Sequence, residues 1–260
     1  MPQEPFKIYG NAYYVGTHGL SSVLITSPSG HVLIDGALPE SVPQIVSNIR
    51  SMGFRVEDIR LILNSHVHFD HAGGIAQLQK LSGARVAATR WTAQVMRTGV
   101  VPRSDPQFGI TNPIARLAAV DIVSDSQTLR AGALSLTAHV TPGHTPGGTS
   151  WTWRSCEGGR CLNLVYADSL TPVSAGGFYF TRSRDYPHAL GDFERSYKFL
   201  ESTPCDILVT PHPGFIKLWE RLDQRRSSPD ALIDPTACRV FAADSRELLK
   251  TRLATEMGKR

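Results

Sequence analysis

The stretch "LILNSHVHFDHAGG", Leu61 to Gly74, decides how the rest of the chain is read. The chain has nine histidines in 260 residues, and three of them, with Asp70, lie between positions 66 and 71. "LIL" reads as the end of a buried strand and "HAGG" as the opening of a helix. A short loop between two such elements holds side chains on a rigid frame. His66 and His68 are two apart and point to one side of an extended backbone. Asp70 and His71 follow where the helix starts, and Gly73 and Gly74 keep that turn slim. Imidazoles suit Zn²⁺, and a neighbouring carboxylate suits a second, harder ion. The competing reading is a polar loop with histidines by chance.

Two further histidines occupy the same kind of position. His144 lies in "TPGHTPGG", after the strand-like "LSLTAHV", and His212 lies in "ILVTPHPG", after "DILV". Each alone would pass for an ordinary loop histidine. Three strand-end sites in Pro/Gly-rich turns argue instead for one metal centre.

The surrounding pattern supplies the frame. "AYYVG", "SSVLITS" and "HVLIDG" read as strands, the last two joined by the turn "PSG". "SVPQIVSNIRSMG" places Val42, Ile45, Val46, Ile49 and Met52 at helical spacing, with Gly53 as the stop. "IRLILNS" and "RVAA" are strands, whereas "AGGIAQLQKLSG" and "RWTAQVMRTG" are helices. Val100 to Leu117 is a loop with three prolines, long enough to be functional. In the second half "LSLTAHV", "TSWTW", "LNLVYA" and "DILVT" are strands. "PHALGDFERSYKFLES" and "SRELLKTRLATEM" are helices. Strands followed by helices, twice over, predict an α/β protein of two halves packed sheet to sheet with helices outside. No linker or low-complexity segment divides it, so one domain over residues 1–260 is expected.

Composition narrows the class. With 41% apolar and 19% charged residues the chain can bury a sizeable core. A net charge of +4 and a pI near 9.0 would suit an anionic partner. The arginines form no basic stripe interleaved with aromatics, which argues against nucleic acid. No apolar run approaches the roughly 20 residues of a membrane span. The opening "MPQEPFKIYG" lacks the apolar core of a secretion signal, which leaves a cytosolic protein or a mature, exported form. Four cysteines bear on that choice. Cys156 and Cys161 flank the turn "EGGR" between two strand-like runs, and Cys205 and Cys238 remain as a second pair. Four buried thiols are the alternative, and no CxxC spacing marks a structural zinc knuckle. Two disulfides and a periplasmic location are the expectation.

The motif HxHxDH, the turn "TPGHTPGG" and the late strand-end histidine together resemble the metallo-β-lactamase superfamily along nearly the whole chain. The resemblance implies a four-layer αβ/βα sandwich with two zinc ions at the sheet edge. It places His66, His68 and His144 on one zinc and Asp70, His71 and His212 on the other. His139 is then a core or supporting histidine, and His18, His31 and His188 match no ligand position. "YADSLTP" carries no cysteine, and the first histidine is intact, so the ligand set is similar to that of subclass B3 β-lactamases. That similarity implies that Ser169 and Thr171 grip the carboxylate of a small-molecule β-lactam, and that Gln107 offers an amide to it. It also implies attack on the lactam by a metal-bound hydroxide, Asp70 assisting proton transfer, in a monomer that confers resistance to penicillins, cephalosporins and carbapenems. The runner-up is a glyoxalase II-like thioesterase or lactonase, in which "ADSL" would align so that Asp168 bridges the metals. Neither SxxK nor GxSxG occurs, which excludes the familiar serine chemistries.

Overall fold

In the computed structural model, which describes residues 1–258, the strands form two sheets. The first runs β1 (Phe6–Tyr9), β2 (Ala12–Tyr14), β3 (Val23–Ile25), β4 (His31–Ile34), β5 (Ile59–Leu63), β6 (Arg85–Ala88) and β7 (Asp121–Ile122), in spatial as in chain order. Short turns make β1 to β4 antiparallel. From β4 to β7 the pairing is parallel, because long crossovers intervene. These crossovers carry α1 (Val42–Ser51), the single turn α2 (Phe69–Ala72), α3 (Ile75–Ser82) and α4 (Arg90–Thr98). The second sheet holds β8 (Thr128–Ala131), β9 (Leu134–Val140), β10 (Thr149–Glu157), β11 (Arg160–Tyr166) and β12 (Ile207–Val209), in reversed spatial order. Helix α5 (Ala189–Ser202) crosses from β11 to the parallel β12. Helices α6 (Leu218–Gln224) and α7 (Ala237–Met257) complete the chain.

Period-2 burial divides the side chains among three apolar layers. Tyr14, Ile34 and Leu63 from the first sheet meet Trp151, Leu164 and Tyr166 from the second at the central seam. Leu33, Ile62 and Val86 face outward under Ile45, Leu78 and Met96 of α1, α3 and α4. Val165 and Leu208 lie under Phe193, Tyr197 and Phe241 of α5 and α7. The result is the expected four-layer sandwich of helices, sheet, sheet and helices. Trp151 is fully buried, and truncating such a side chain costs about 3–5 kcal/mol.

The reading of local elements needs three corrections. Strands β1, β7 and β8 were not expected; they are two to four residues long and partly exposed, too short to show a period. The helix expected over "AGGIAQLQKLSG" is shortened to α3, and Gly73 and Gly74 separate it from the turn α2 just before it. A Cβ on Gly74 would come within 2.3 Å of the Gly36 carbonyl oxygen, so only glycine lets these two stretches of backbone meet. The last helix begins at Ala237 rather than near Ser245. Both cysteine pairs are bonded. Cys156 and Cys161 face each other across the β10–β11 ladder, and Cys205–Cys238 fastens the approach to β12 onto the first turn of α7.

Candidate metal centre

The strand ends deliver their side chains to one edge of the seam. The loop after β5 supplies His66 and His68, and α2 supplies Asp70 and His71. The β9–β10 turn supplies His144, and the turn after β12 supplies His212. All six line a single cavity of about 690 Å³. The His66 ring centroid is 4.9 Å from that of His68 and 4.8 Å from that of His144. The ligand atoms of these three residues lie within 4.8 Å of one another, and so do those of His66, Asp70 and His71. His212 joins the second group: its Nε2 is 3.1 Å from Nε2 of His71 and 3.4 Å from Oδ2 of Asp70.

Residues behind the ligands fix which nitrogen faces the cavity. Asp168 Oδ1 holds Nδ1 of His66 at 2.7 Å, which leaves His66 Nε2 buried and without a hydrogen-bond partner among the described residues. The carboxylate of Asp105 holds Nε2 of His68 at 3.0 Å, so Nδ1 is the nitrogen left towards the cavity. His144 Nδ1 donates to the Thr171 carbonyl at 2.7 Å, which frees Nε2. Pinning one ring nitrogen in this way sets the tautomer of a ligating histidine.

Electrostatics favour a cation. Burial lowers the pKa of His66 well below the usual range, helped by the neighbouring imidazoles. Burial also brings His144 down to about 3 and His212 to about 4. Their lone pairs are therefore free at neutral pH. Burial alone would raise Asp70, but its hydrogen bond to His71 and the nearby imidazoles of His71 and His212 outweigh it and hold the carboxyl well below the usual range. Imidazoles converging with a carboxylate in one cavity are a donor set that fits a divalent metal.

A further support lies beneath the loop. Asp35, just after β4, is fully buried and left-handed at φ +61°. Its carboxylate accepts the Ser65 N–H (2.7 Å) and hydroxyl (2.6 Å), the Asn64 amide (2.9 Å) and the Tyr166 hydroxyl (2.8 Å). An aspartate in so strained a conformation persists where its surroundings over-determine it. Here it clamps the two residues that precede His66. In the β9–β10 turn, a Cβ on Gly148 would stand 2.2 Å from Asp168 Oδ2, so only glycine lets that carboxylate reach its position.

A family model for the metallo-β-lactamase superfamily matches residues 15–157, more than half of the chain. The chain belongs to the metallo-β-lactamase superfamily. The solved Rm3 metallo-β-lactamase is 52% identical over 98% of this chain and 95% of its own, with a TM-score of 0.97. MEM-A1, a subclass B3 metallo-β-lactamase from a soil metagenome library, is 47% identical over 100% and 98%, with a TM-score of 0.98. A hydroxyacylglutathione hydrolase of Rhodopseudomonas palustris is 27% identical over 59% of this chain and 49% of its own length. The chain spans about half the length of such curated relatives.

Within this superfamily site, Gln107 and Thr171 line the cavity, as do Val173, Phe215, His18 and Trp219. Gln107 Nε2 lies 3.3 Å from Nδ1 of His68. Ser169 is 4% exposed, and its hydroxyl is buried without a hydrogen-bond partner among the described residues. His18 is no ligand but stacks on Trp219 at the cavity wall, ring centroids 4.7 Å apart. His139 does not support a ligand: it bonds the Thr152 hydroxyl and stacks on Phe199 of α5. It borders a larger depression of about 840 Å³ that none of the six candidate ligand residues lines. His31 packs edge-on to Phe54 in β4, and His188 precedes α5 on the surface. Sequence reasoning missed Asp35 and Asp105. Asp105 stands in the long loop already marked as functional, two residues before Gln107, but its type and spacing carry no sign of a partner in His68.

Proposed function

We propose that this protein is a zinc-dependent β-lactamase that opens the lactam amide of penicillins, cephalosporins and carbapenems and so confers resistance to them. The observation that carries this reading is agreement along essentially the whole chain with solved metallo-β-lactamases, at 47–52% identity. The contrast is a thioesterase match limited to about half of the relative's length.

In this reading His66, His68 and His144 hold one zinc ion, and Asp70, His71 and His212 hold a second. Bound zinc supplies a water-derived nucleophile at neutral pH and Lewis acidity towards the lactam carbonyl. Asp168, Asp105 and the Thr171 carbonyl keep the three imidazoles aimed while the substrate is worked on. Asp70 is ionised at rest; with Oδ2 turned to His71 and His212, Oδ1 is left to take up a proton from the attacking water, becoming neutral, and to return to its ionised form by passing that proton to the lactam nitrogen. The Thr171 hydroxyl, with Ser169 behind it, donates to the substrate carboxylate, and the Gln107 amide binds from the facing loop. No covalent enzyme intermediate is required. Two disulfides suit an oxidising compartment, and no described helix is long and apolar enough to cross a membrane. A periplasmic monomer is the proposal.

Hydrolysis of nitrocefin and of S-lactoylglutathione, measured side by side on zinc-loaded and chelator-dialysed protein, tests the reading. Zinc-dependent nitrocefin turnover is expected. Thioester turnover with inert nitrocefin would transfer the assignment to the alternative, and full activity without metal would remove it.

A further inference from the structure

We propose that Glu256 and Arg252, on the last turns of α7, are positioning residues for substrate binding, although neither lines the metal cavity. The proposal rests on the β-lactamase reading of that cavity. Glu256 is a carboxylate only 3% exposed. Its Oε1 accepts the Phe180 N–H at 3.0 Å, and its Oε2 accepts the Thr181 N–H at 3.0 Å and the Thr181 hydroxyl at 2.9 Å. Arg252 bonds Glu256 Oε1 at 2.8 Å through Nε. Through Nη2 it reaches the Ser174 hydroxyl at 2.7 Å and the Phe178 carbonyl at 2.8 Å. Two neighbouring helical residues thus make six bonds, and five of them fasten the segment Ser174–Thr181.

That segment has no regular secondary structure of its own, and its N-terminal side is the cavity wall. Thr171 and Val173 line the cavity, and Thr171 also receives the His144 ring. Val173 is 48% exposed, so packing does little to hold it. The segment also reaches the facing loop, where the Ala175 N–H donates to the Pro106 carbonyl at 2.8 Å. Pro106 stands between Asp105, which orients His68, and Gln107, which lines the cavity. The α7 pair therefore fixes both walls through one irregular segment. A buried, paired carboxylate is costly to desolvate and is retained only where its hydrogen bonds compensate it, and here those bonds are spent on the loop backbone.

The test compares wild type with Glu256→Gln and, as a second variant, Arg252→Lys, which keeps the charge but loses the fork. The readouts are zinc content, kcat and KM for nitrocefin, and amide hydrogen exchange of residues 172–181. The expected result is unchanged zinc, kcat within about twofold and KM raised about five- to tenfold, the scale at which such remote contacts act. Exchange in 172–181 should accelerate while β5 and β11 stay protected. The rise in KM should shrink below about twofold in a Thr171→Val background, because the residue that transmits it is gone. Unchanged KM in both variants, or a KM rise of equal size in the Thr171→Val background, overturns the proposal. A wild type inert to nitrocefin overturns the β-lactamase reading instead, and loop exchange in the variants then shows whether the α7 pair still orders the segment.

Discussion

Replacing Asp168 by asparagine separates a residue that aims a ligand from one that is a ligand. The carboxylate is fully buried, and its Oδ1 sits 2.7 Å from Nδ1 of His66. An asparagine can turn its carbonyl to the same nitrogen, so the tautomer survives, but the carboxyl group that supports His66 from behind is lost. Changing such an outer partner weakens metal binding by about 10- to 100-fold, or about 1.4–2.7 kcal/mol. The loss is expected in the affinity and not in the stoichiometry. Chelator competition at equilibrium gives the dissociation constant, and metal analysis at saturating zinc gives the count. A dissociation constant within twofold of wild type would show that His66 needs no such anchor. A missing equivalent at saturating zinc would make Asp168 a bridging ligand, and the thioesterase reading would follow.

Thr171 and Ser169 are both buried, but only Thr171 lines the cavity. Thr171→Val is therefore expected to raise KM for β-lactams by about tenfold or more, the worth of a hydrogen bond to a charged group at about 1.5–3 kcal/mol, with the smaller share from Ser169→Ala; the reverse order in steady-state kinetics would displace Thr171 from this role. On the loop-entropy account the Cys205–Cys238 bridge, with a sequence separation of 33, contributes about 3.8 kcal/mol and Cys156–Cys161, with a separation of 5, about 2.2 kcal/mol. Denaturant titration of the two double-serine variants should show the first to be the less stable; equal midpoints would reject the account. For Glu256, burial pushes the carboxyl up, but the bonds from Arg252, Thr181 and Phe180 outweigh it and leave the pKa below the ordinary 4.5. A group whose folded pKa is depressed stabilises the protein above its unfolded pKa and loses that contribution as pH falls through the folded one. Glu256→Gln should thus be less stable than wild type at neutral pH, and the gap should narrow below pH 4.5; a gap constant in pH would show that the carboxylate's charge is not what the loop uses.

The six candidate ligands are legible because four of them follow strands whose own pattern is strong, and because His66, His68, Asp70 and His71 share six residues of sequence. Their supports were not legible. Asp35 meets Asn64 29 positions away, Asp105 meets His68 37 away, and Glu256 meets Phe180 76 away. An acidic residue in a loop or a terminal helix turn looks the same whether it faces water or a buried ring, since only the tertiary fold chooses its partner. Ser169 and Thr171, which the sequence treats as equals, are both buried, but only Thr171 lines the cavity. The layered architecture followed from alternating strand and helix signals, while the short edge strands escaped because two to four residues cannot display a period.

The cavity straddles the seam between the sheets, with His66, His68, Asp70 and His71 on one side and His144 and His212 on the other. A cation shared by such donors is a rivet through two plates. It binds only while the plates are registered, so its affinity is part of the folding equilibrium: free metal at one hundred times its dissociation constant adds about 2.7 kcal/mol to stability. Scarcity of metal then has a second meaning for this chain. It slows turnover, and it also loosens the joint between the halves, exposing to proteases and aggregation a protein that an assay of activity alone would record as merely idle.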